Sequence, residues 1–261
     1  MNDDNCKIDI IGSKSFNIEI NFQDYSSIVA NTFYFNYNRC KKQNQEIDKL
    51  KDSDSIAWFL VSSYYYSFFA ANQIANLMGI FNLNFDDEEK NSLVYKSITE
   101  NNQILKDFIN DDTKNFYGEL KINDIDKKVL IKCTSGGGKP HKLAWDNLLK
   151  VINGLSISDA DLIAKSNKLK SILSEKNYWK KPSQIRNEWN YSDPSLYFQH
   201  NINYIAVRNK FHDNFVELKN WSLNRAKTPK NEFDYFITIL YLYKFTKIIL
   251  EEIKSDILNE D

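Results

Sequence analysis

The three histidines limit where imidazole chemistry can occur: the candidates are His141, His200 and His212. His212 follows Arg208 by four residues, and on a helix this spacing places both side chains on one face, with Asn209 beside them. A guanidinium next to an imidazole can hold a phosphodiester and move a proton, which suits RNA cleavage by the 2′-hydroxyl. The plainer interpretation is a solvated helix face, on which Arg208 pairs with an acid.

A run of three glycines in SGGGKPHK, residues 135–142, is the second candidate site. Glycines let a ligand approach the backbone N–H groups, and a helix start that follows can hold an anion. The run lacks the Gly-Lys-Ser/Thr ending of a P-loop, and a proline removes one N–H. The alternative is a plain loop between a strand and a helix. The candidate phosphate- or nucleic-acid-binding residues here are Gly136, Gly137, Gly138, Lys139 and His141.

Arg186 is the third candidate, because only four of the 34 basic residues are arginines. Lysine cannot copy the planar fork of arginine, so a retained arginine indicates a specific contact. Aromatic and basic residues surround Arg186, and such a mixture can stack nucleic-acid bases or fasten a loop and form a protein interface. We favour packing or an interface. The surrounding residues are Trp179, Lys180, Lys181, Trp189 and Tyr191.

Composition excludes several classes of protein. The formal net charge of −1 excludes a nucleic-acid binder that acts through overall basicity. A hydrophobic fraction of 42% is enough for a sizeable core. The cysteines Cys6, Cys40 and Cys133 are too far apart for a disulfide framework or a Cys-x-x-Cys metal site, so we expect no metal and no cofactor. With no targeting segment and no long apolar run, we expect a cytoplasmic protein without a membrane partner.

The elements that must position these residues are mostly helices. Alternating apolar and polar residues over 7–22 predict a β-hairpin with its turn at Gly12–Lys14, and residues 115–133 predict two short strands. Residues 177–196 are expected to form a loop pinned to the body of the protein. Helical periodicity covers 24–50, 54–80, 84–113 in part, 142–153, 158–176, 197–218 and 232–258.

Two of these helices carry a family resemblance. SSYYYSFFAANQIANLMGI, residues 62–80, resembles the first long helix of HEPN domains, and VRNKFHDNF, residues 207–215, resembles the Arg-Asn…His segment of a later helix. The resemblance implies an α-helical bundle that usually dimerises. It also implies a metal-independent ribonuclease whose Arg and His from both subunits meet at the dimer cleft. The catalytic candidates that it carries over are Arg208, Asn209 and His212.

We therefore predict a mainly α fold: a HEPN-like helical bundle with an N-terminal β-hairpin and a small β-containing insertion. The chain is predicted to form a single domain, residues 1–261. Within it, residues 1–23 form the hairpin, and residues 24–80 and 197–261 form the bundle core. Residues 81–196 form the insertion, with short strands, the glycine-rich loop and helices.

Two functions fit this prediction. The first is a HEPN-like metal-independent endoribonuclease, or an RNA-processing subunit, of a bacterial antiphage or toxin system. The second is a non-catalytic helical accessory subunit that bridges an ATPase or nuclease effector in a defence complex. The second is motivated by the near-neutral charge and by the three residues between Arg208 and His212, since the family usually has four to six. The expected partners are a second copy of the chain, a defence-system ATPase or nuclease, and RNA. A nucleotide-binding helical domain that uses residues 135–141 is a third, weaker interpretation.

Overall fold

The structure is a computed structural model, and it describes residues 6–50, 56–123, 127–136, 138–156, 158, 160–188, 190, 228–229 and 232–258. Over these residues the fold is mainly α, with eight α-helices and one five-stranded antiparallel sheet. The chain divides into two compact units. We call Met1–Tyr34 with Ala75–Leu143 the sheet unit, and Phe35–Ile74 with Ala144–Asp261 the helical unit.

The sheet unit contains all five strands. In chain order they are β1 (Cys6–Gly12), β2 (Ser15–Asn21), β3 (Ile80–Asn84), β4 (Asn115–Asn123) and β5 (Lys128–Ser135), and their order across the sheet is β1-β2-β5-β4-β3. β1 and β2 form the predicted N-terminal hairpin, and β4 and β5 form the predicted pair of strands. β2 pairs with β5, so the hairpin and the later strands belong to one sheet.

Side chains alternate across this sheet. One register row places Ile10, Phe16 and Cys133 on the same face, and all three are buried. The opposite face is polar, and there Lys128 and Glu19 form an ion pair with an Nζ–Oε1 distance of 2.7 Å. Such alternation is typical of an antiparallel sheet with one covered and one solvated face.

Two short helices pack on the apolar face: α3 (Asp87–Tyr95) and α4 (Asn102–Asn110). The ring of Phe16 meets those of Phe108 and Phe116 edge-on, with centroid distances of 5.8 and 5.2 Å. Lys90 of α3 is 2% exposed, and its ammonium donates a hydrogen bond to the carbonyl oxygen of Asp111 at 2.5 Å. This contact satisfies a carbonyl at the end of α4 that the helix itself leaves unpaired.

The remaining helices build the helical unit, although some begin outside it. They are α1 (Phe22–Leu50), α2 (Ile56–Leu77), α5 (Pro140–Gly154), α6 (Ala160–Leu173), α7 (Pro182–Asn187) and α8 (Glu232–Leu258), with a 3₁₀ turn at Lys176–Tyr178. α1 begins where the side chain of Asn21 accepts a hydrogen bond from the backbone N–H of Asp24, which is a helix cap.

α2 is buried on most sides, as its nearly all-apolar sequence predicts. In the helical unit, its Tyr66 ring packs edge-on against Tyr243 of α8, with a centroid distance of 5.0 Å. Its Gln73 accepts a hydrogen bond from the Asn36 amide of α1 at 2.9 Å. α2 is therefore the inner helix around which α1 and α8 are arranged.

Several details differ from the sequence prediction. β3 had no counterpart in it, and the region predicted as one modest helix over 84–113 forms α3 and α4. The predicted loop 177–196 includes α7. The helical unit also takes up residues 144–188, which the prediction assigned to an insertion. The predicted helix 197–218 lies outside the described residues.

Candidate functional site

The predicted catalytic residues Arg208, Asn209 and His212 lie outside the described residues, as do His200 and Gly137. Their assignment therefore stays a prediction from the sequence. The remaining candidates of the glycine-rich loop, and Arg186 with Trp179, Lys180 and Lys181, belong to the described part of the chain, whereas Trp189 and Tyr191 lie outside it.

The glycine-rich loop begins in close contact with β4. The N–H of Gly136 donates a hydrogen bond to the carbonyl oxygen of Asn115 at 2.9 Å. A Cβ at Gly136 would lie 3.0 Å from the backbone nitrogen of Tyr117, which is tighter than an ordinary contact. Gly136 is therefore required by packing, because the first turn of the loop lies directly on a neighbouring strand.

The second half of the loop leads into α5. Gly138 has φ +148°, a backbone conformation that residues with a Cβ rarely adopt. The carbonyl of Lys139 accepts hydrogen bonds from the N–H groups of Lys142 and Leu143 at 2.9 and 3.1 Å, so the helix begins directly after it. Lys139 is exposed and His141 is half-buried. Phosphate binding by this loop stays a prediction.

Arg186 lies on α7 in the helical unit, where it is 7% exposed. Pro182 occupies the first turn of this short helix, a position where its missing N–H costs nothing. The guanidinium carbon lies 5.5 Å from the ring centroid of Tyr64 and 5.6 Å from that of Tyr65. Arg186 thus directs its charge at two tyrosine faces of α2, in cation–π geometry.

Tyr64 connects Arg186 to α5. The indole Nε1–H of Trp145 donates a hydrogen bond to the Tyr64 hydroxyl at 3.4 Å, and both residues are almost fully buried. Burial raises the pKa of Tyr64 to about 12, although the Trp145 hydrogen bond and the Arg186 charge act in the opposite direction. The phenol therefore stays protonated at neutral pH, where it serves as a neutral neighbour of the cation.

Lys181 is a second cation held inside the helical unit. Its ammonium lies 2.8 Å from Asp146 Oδ1 and 3.6 Å from Glu175 Oε2. The side chain of Gln184 donates a hydrogen bond to the other Glu175 oxygen at 2.9 Å. These contacts fasten the start of α7 to α5 and to the turn after α6.

Lys168 of α6 is a third cation in this region. It is 7% exposed, and its ammonium lies 4.2 Å from the ring centroid of Trp179, which is itself 3% exposed. The Trp179 ring meets Tyr235 of α8 edge-on at 6.5 Å. The Lys180 ammonium lies 2.8 Å from the Glu188 carboxylate and 4.5 Å from the Tyr235 ring centroid.

We call these residues the basic–aromatic cluster, and all of them belong to the helical unit: Tyr64, Trp145, Lys168, Trp179, Lys180, Lys181, Arg186 and Tyr235. The cations that are buried, Lys168, Lys181 and Arg186, already contact aromatic faces or carboxylates of the same unit. This arrangement agrees with the packing interpretation of Arg186 and Trp179, since desolvated cations are tolerated only with such partners.

Sequence patterns did not single out four members of the cluster, Tyr64, Trp145, Lys168 and Tyr235, nor Asp146, the carboxylate partner of Lys181. A signal for Lys168 exists, because it falls on the helix face that also carries Leu169 and Ile172, both fully buried. A lysine on an apolar face indicates a buried partner. Asp146 offers no such signal.

The described part of the chain contains no group of three or more His, Cys, Asp or Glu residues that could hold a metal ion. None of its helices is long and apolar enough to cross a membrane. Comparisons with protein-family models, with curated proteins and with solved structures find no match to this chain.

Proposed function

We propose that this chain is a HEPN-like, metal-independent endoribonuclease or RNA-processing subunit of a bacterial antiphage or toxin system. The proposal depends on the Arg208-Asn209…His212 segment and on the helix whose sequence resembles the first long helix of the family. One structural observation supports it: that helix, α2, is the inner helix of a unit made of helices.

In this proposal each catalytic residue has a chemical role. Arg208 holds the phosphodiester through charge-assisted hydrogen bonds, and Asn209 adds a neutral donor beside it. The 2′-oxygen of the ribose attacks the adjacent phosphorus, and the bond from phosphorus to the 5′-oxygen breaks. His212 serves in the proton transfers, either by taking the 2′-hydroxyl proton or by giving one to the leaving 5′-oxygen. The products are a 2′,3′-cyclic phosphate and a 5′-hydroxyl.

The test is cleavage of a mixed RNA substrate in the presence of EDTA. We expect the wild-type chain to cleave, and His212→Ala to lower the rate by about a hundredfold or more, the usual contribution of a general acid or base. His200→Ala is the comparison variant for a second imidazole of the same segment: a packing or capping role for His200 predicts a rate close to that of the wild type, and a supporting role beside His212 predicts a lower rate. Equal cleavage by the wild type and His212→Ala would exclude His212 as the catalytic residue.

A second candidate function is favoured by the basic–aromatic cluster. Its buried cations are used inside the helical unit, where they hold α6, α7 and the turn between them. Cations used in this way are not available to hold RNA phosphates, which favours a function without RNA binding at this cluster. We propose as the alternative a non-catalytic accessory subunit that bridges an ATPase or nuclease effector. It predicts no cleavage by the isolated chain and co-purification of the tagged chain with the ATPase or nuclease encoded beside it.

A further inference from the structure

The turn between α6 and α7 has an unusual backbone. Glu175, which precedes the 3₁₀ turn Lys176–Tyr178, has φ +56°, and Tyr178, the last residue of the turn, has φ +67°. Residues with a Cβ rarely adopt this left-handed conformation, and for a bulky aromatic residue it is a genuine outlier. Such strain persists only where the surrounding structure fixes the backbone, and it is concentrated at binding and catalytic sites.

Contacts on both sides hold this turn in place. The Glu175 carboxylate is bound by Gln184 and lies near Lys181, as described above. Behind Tyr178, the buried Trp179 ring lies under the Lys168 ammonium. The Tyr235 hydroxyl also donates a hydrogen bond to the carbonyl oxygen of Tyr178 at 3.2 Å. The position of the Tyr178 backbone is therefore determined by the helical unit.

The fixed turn presents the Tyr178 ring to solvent. Its side chain is 84% exposed, whereas the neighbouring Trp179 is 3% exposed. The energetic cost of the left-handed backbone thus brings no packing gain for Tyr178. A ring that is left uncovered on a fixed backbone can serve as a binding platform, because its backbone need not be ordered when a ligand arrives.

Two lysines lie close to Tyr178 in the sequence, at positions 176 and 180. Lys176 is exposed and has no ion-pair partner among the described residues, whereas Lys180 is half-buried and paired with Glu188. Of the other basic residues in this region, Lys168, Lys181 and Arg186 are buried in contacts within the helical unit. Lys176 is therefore the exposed cation next to Tyr178 in the turn that can meet an anionic ligand.

We propose that Tyr178 is a stacking platform for one base of single-stranded RNA, with the exposed Lys176 contacting a phosphate next to that base. Stacking on an exposed aromatic ring combined with lysine–phosphate contacts is the usual mode of sequence-tolerant binding to single strands. A protein partner fits less well, because the residues beside the ring are polar or charged and a protein interface needs an apolar core. RNA as the ligand rests on the proposed function, but the residues varied here differ from Arg208, Asn209 and His212, so the two proposals are tested by different variants.

Binding is measured by fluorescence anisotropy with a labelled 2′-O-methyl oligouridine, which lacks the nucleophile and so stays intact with the full wild-type chain. We expect Tyr178→Ala to weaken binding about tenfold and Tyr178→Phe to bind like the wild type. Lys176→Ala should weaken binding, and it should make the slope of log binding constant against log salt concentration shallower by about 0.7. Tyr95→Ala is the matched control, since Tyr95 is 90% exposed but lies on α3, whose first turn is acidic.

A second variant separates binding from a structural role. Asparagine tolerates the left-handed conformation better than tyrosine, so Tyr178→Asn should keep or raise the unfolding midpoint while it weakens RNA binding about tenfold. A structural role for the ring predicts the reverse, a lower midpoint with unchanged binding.

The outcomes are distinct from those of the cleavage test. Unchanged affinity in Tyr178→Ala, or an equal loss in Tyr95→Ala, overturns this proposal whatever His212→Ala does. A loss of self-association in Tyr178→Ala with unchanged RNA affinity also overturns it, in favour of a protein contact. Loss of RNA affinity in Tyr178→Ala supports it even if His212 proves not to be catalytic.

Discussion

At the scale of single residues, Lys181 shows how the helical unit keeps a charge inside. Its side chain is 11% exposed and lies 2.8 Å from Asp146, whose side chain is 33% exposed. Lys181→Met keeps most of the volume but leaves Asp146 without this cation. We expect the free energy of unfolding to fall by about 1 to 3 kcal/mol, because a poorly solvated carboxylate then lacks its partner. Urea denaturation of the two proteins measures the difference.

The matched control is the ion pair of Lys49 and Glu46, whose side chains are 71% and 57% exposed at a distance of 2.7 Å. Water screens this pair, so Lys49→Met should lower the free energy of unfolding by less than about 0.5 kcal/mol. Equal losses at positions 49 and 181 would contradict the assignment of Lys181 as a buried structural cation.

The same residues show what sequence can and cannot predict about the candidate site. Arg186 and Trp179 stand out from sequence by residue type and by their neighbours, and both belong to the cluster. Their partners do not stand out, because Tyr64 lies 122 residues before Arg186 and Tyr235 lies 56 residues after Trp179. Patterns read in a short window carry no information on contacts between such distant positions.

At the scale of elements, the turn between the end of α2 and β3 depends on Gly79. This residue has φ +75°, and a Cβ there would lie 2.5 Å from the Cβ of Leu120 on β4. Gly79→Ala therefore meets both a strained backbone and a clash with an adjacent strand. We expect a loss of about 2 to 4 kcal/mol in the free energy of unfolding, measured by urea denaturation.

Gly154 provides the control within the same chain. It is the last residue of α5, its φ is not in the left-handed region, and a Cβ would meet nothing within 4 Å. Gly154→Ala should leave stability unchanged or raise it by up to about 1 kcal/mol, because alanine restricts the unfolded chain. If Gly79→Ala were as well tolerated as Gly154→Ala, the described approach of β4 to the end of α2 would be wrong.

The elements themselves were largely predictable. A period of two residues marks the N-terminal hairpin, and an apolar face of helical period marks α8, which spans Glu232–Leu258 as expected. β3 was missed because its five residues follow directly on the apolar end of α2. The joining of the hairpin to β5 was also missed, since Glu19 and Lys128 are 109 residues apart. Pairing between strands so distant in sequence is decided by the packing of the whole sheet.

At the scale of the whole molecule, both units bury groups that ionise at high pH. The pKa of the Cys40 and Cys133 thiols is raised from 9.0 to about 12, chiefly by burial. Burial likewise raises the pKa of Tyr66 and Tyr243 above the ordinary value of 10.0. These groups are neutral in the folded protein under conditions in which the unfolded chain begins to lose their protons.

This difference predicts alkaline unfolding with a definite sign. Because the pKa of Tyr64 is about 12 in the folded protein and 10.0 when unperturbed, its contribution is complete below pH 10 and is lost as the pH rises toward 12. By pH 12 the ionisation of Tyr64 lowers the free energy of unfolding by about 2 kcal/mol, and the buried thiols begin to lower it from pH 9. Urea midpoints measured across this range should therefore fall as the pH rises. The urea midpoint of Tyr64→Phe should fall less steeply with pH than that of the wild type. The midpoint of Tyr95→Phe, which removes an exposed hydroxyl, should follow the wild type. Constant midpoints between pH 9 and pH 12 would contradict the burial of these groups.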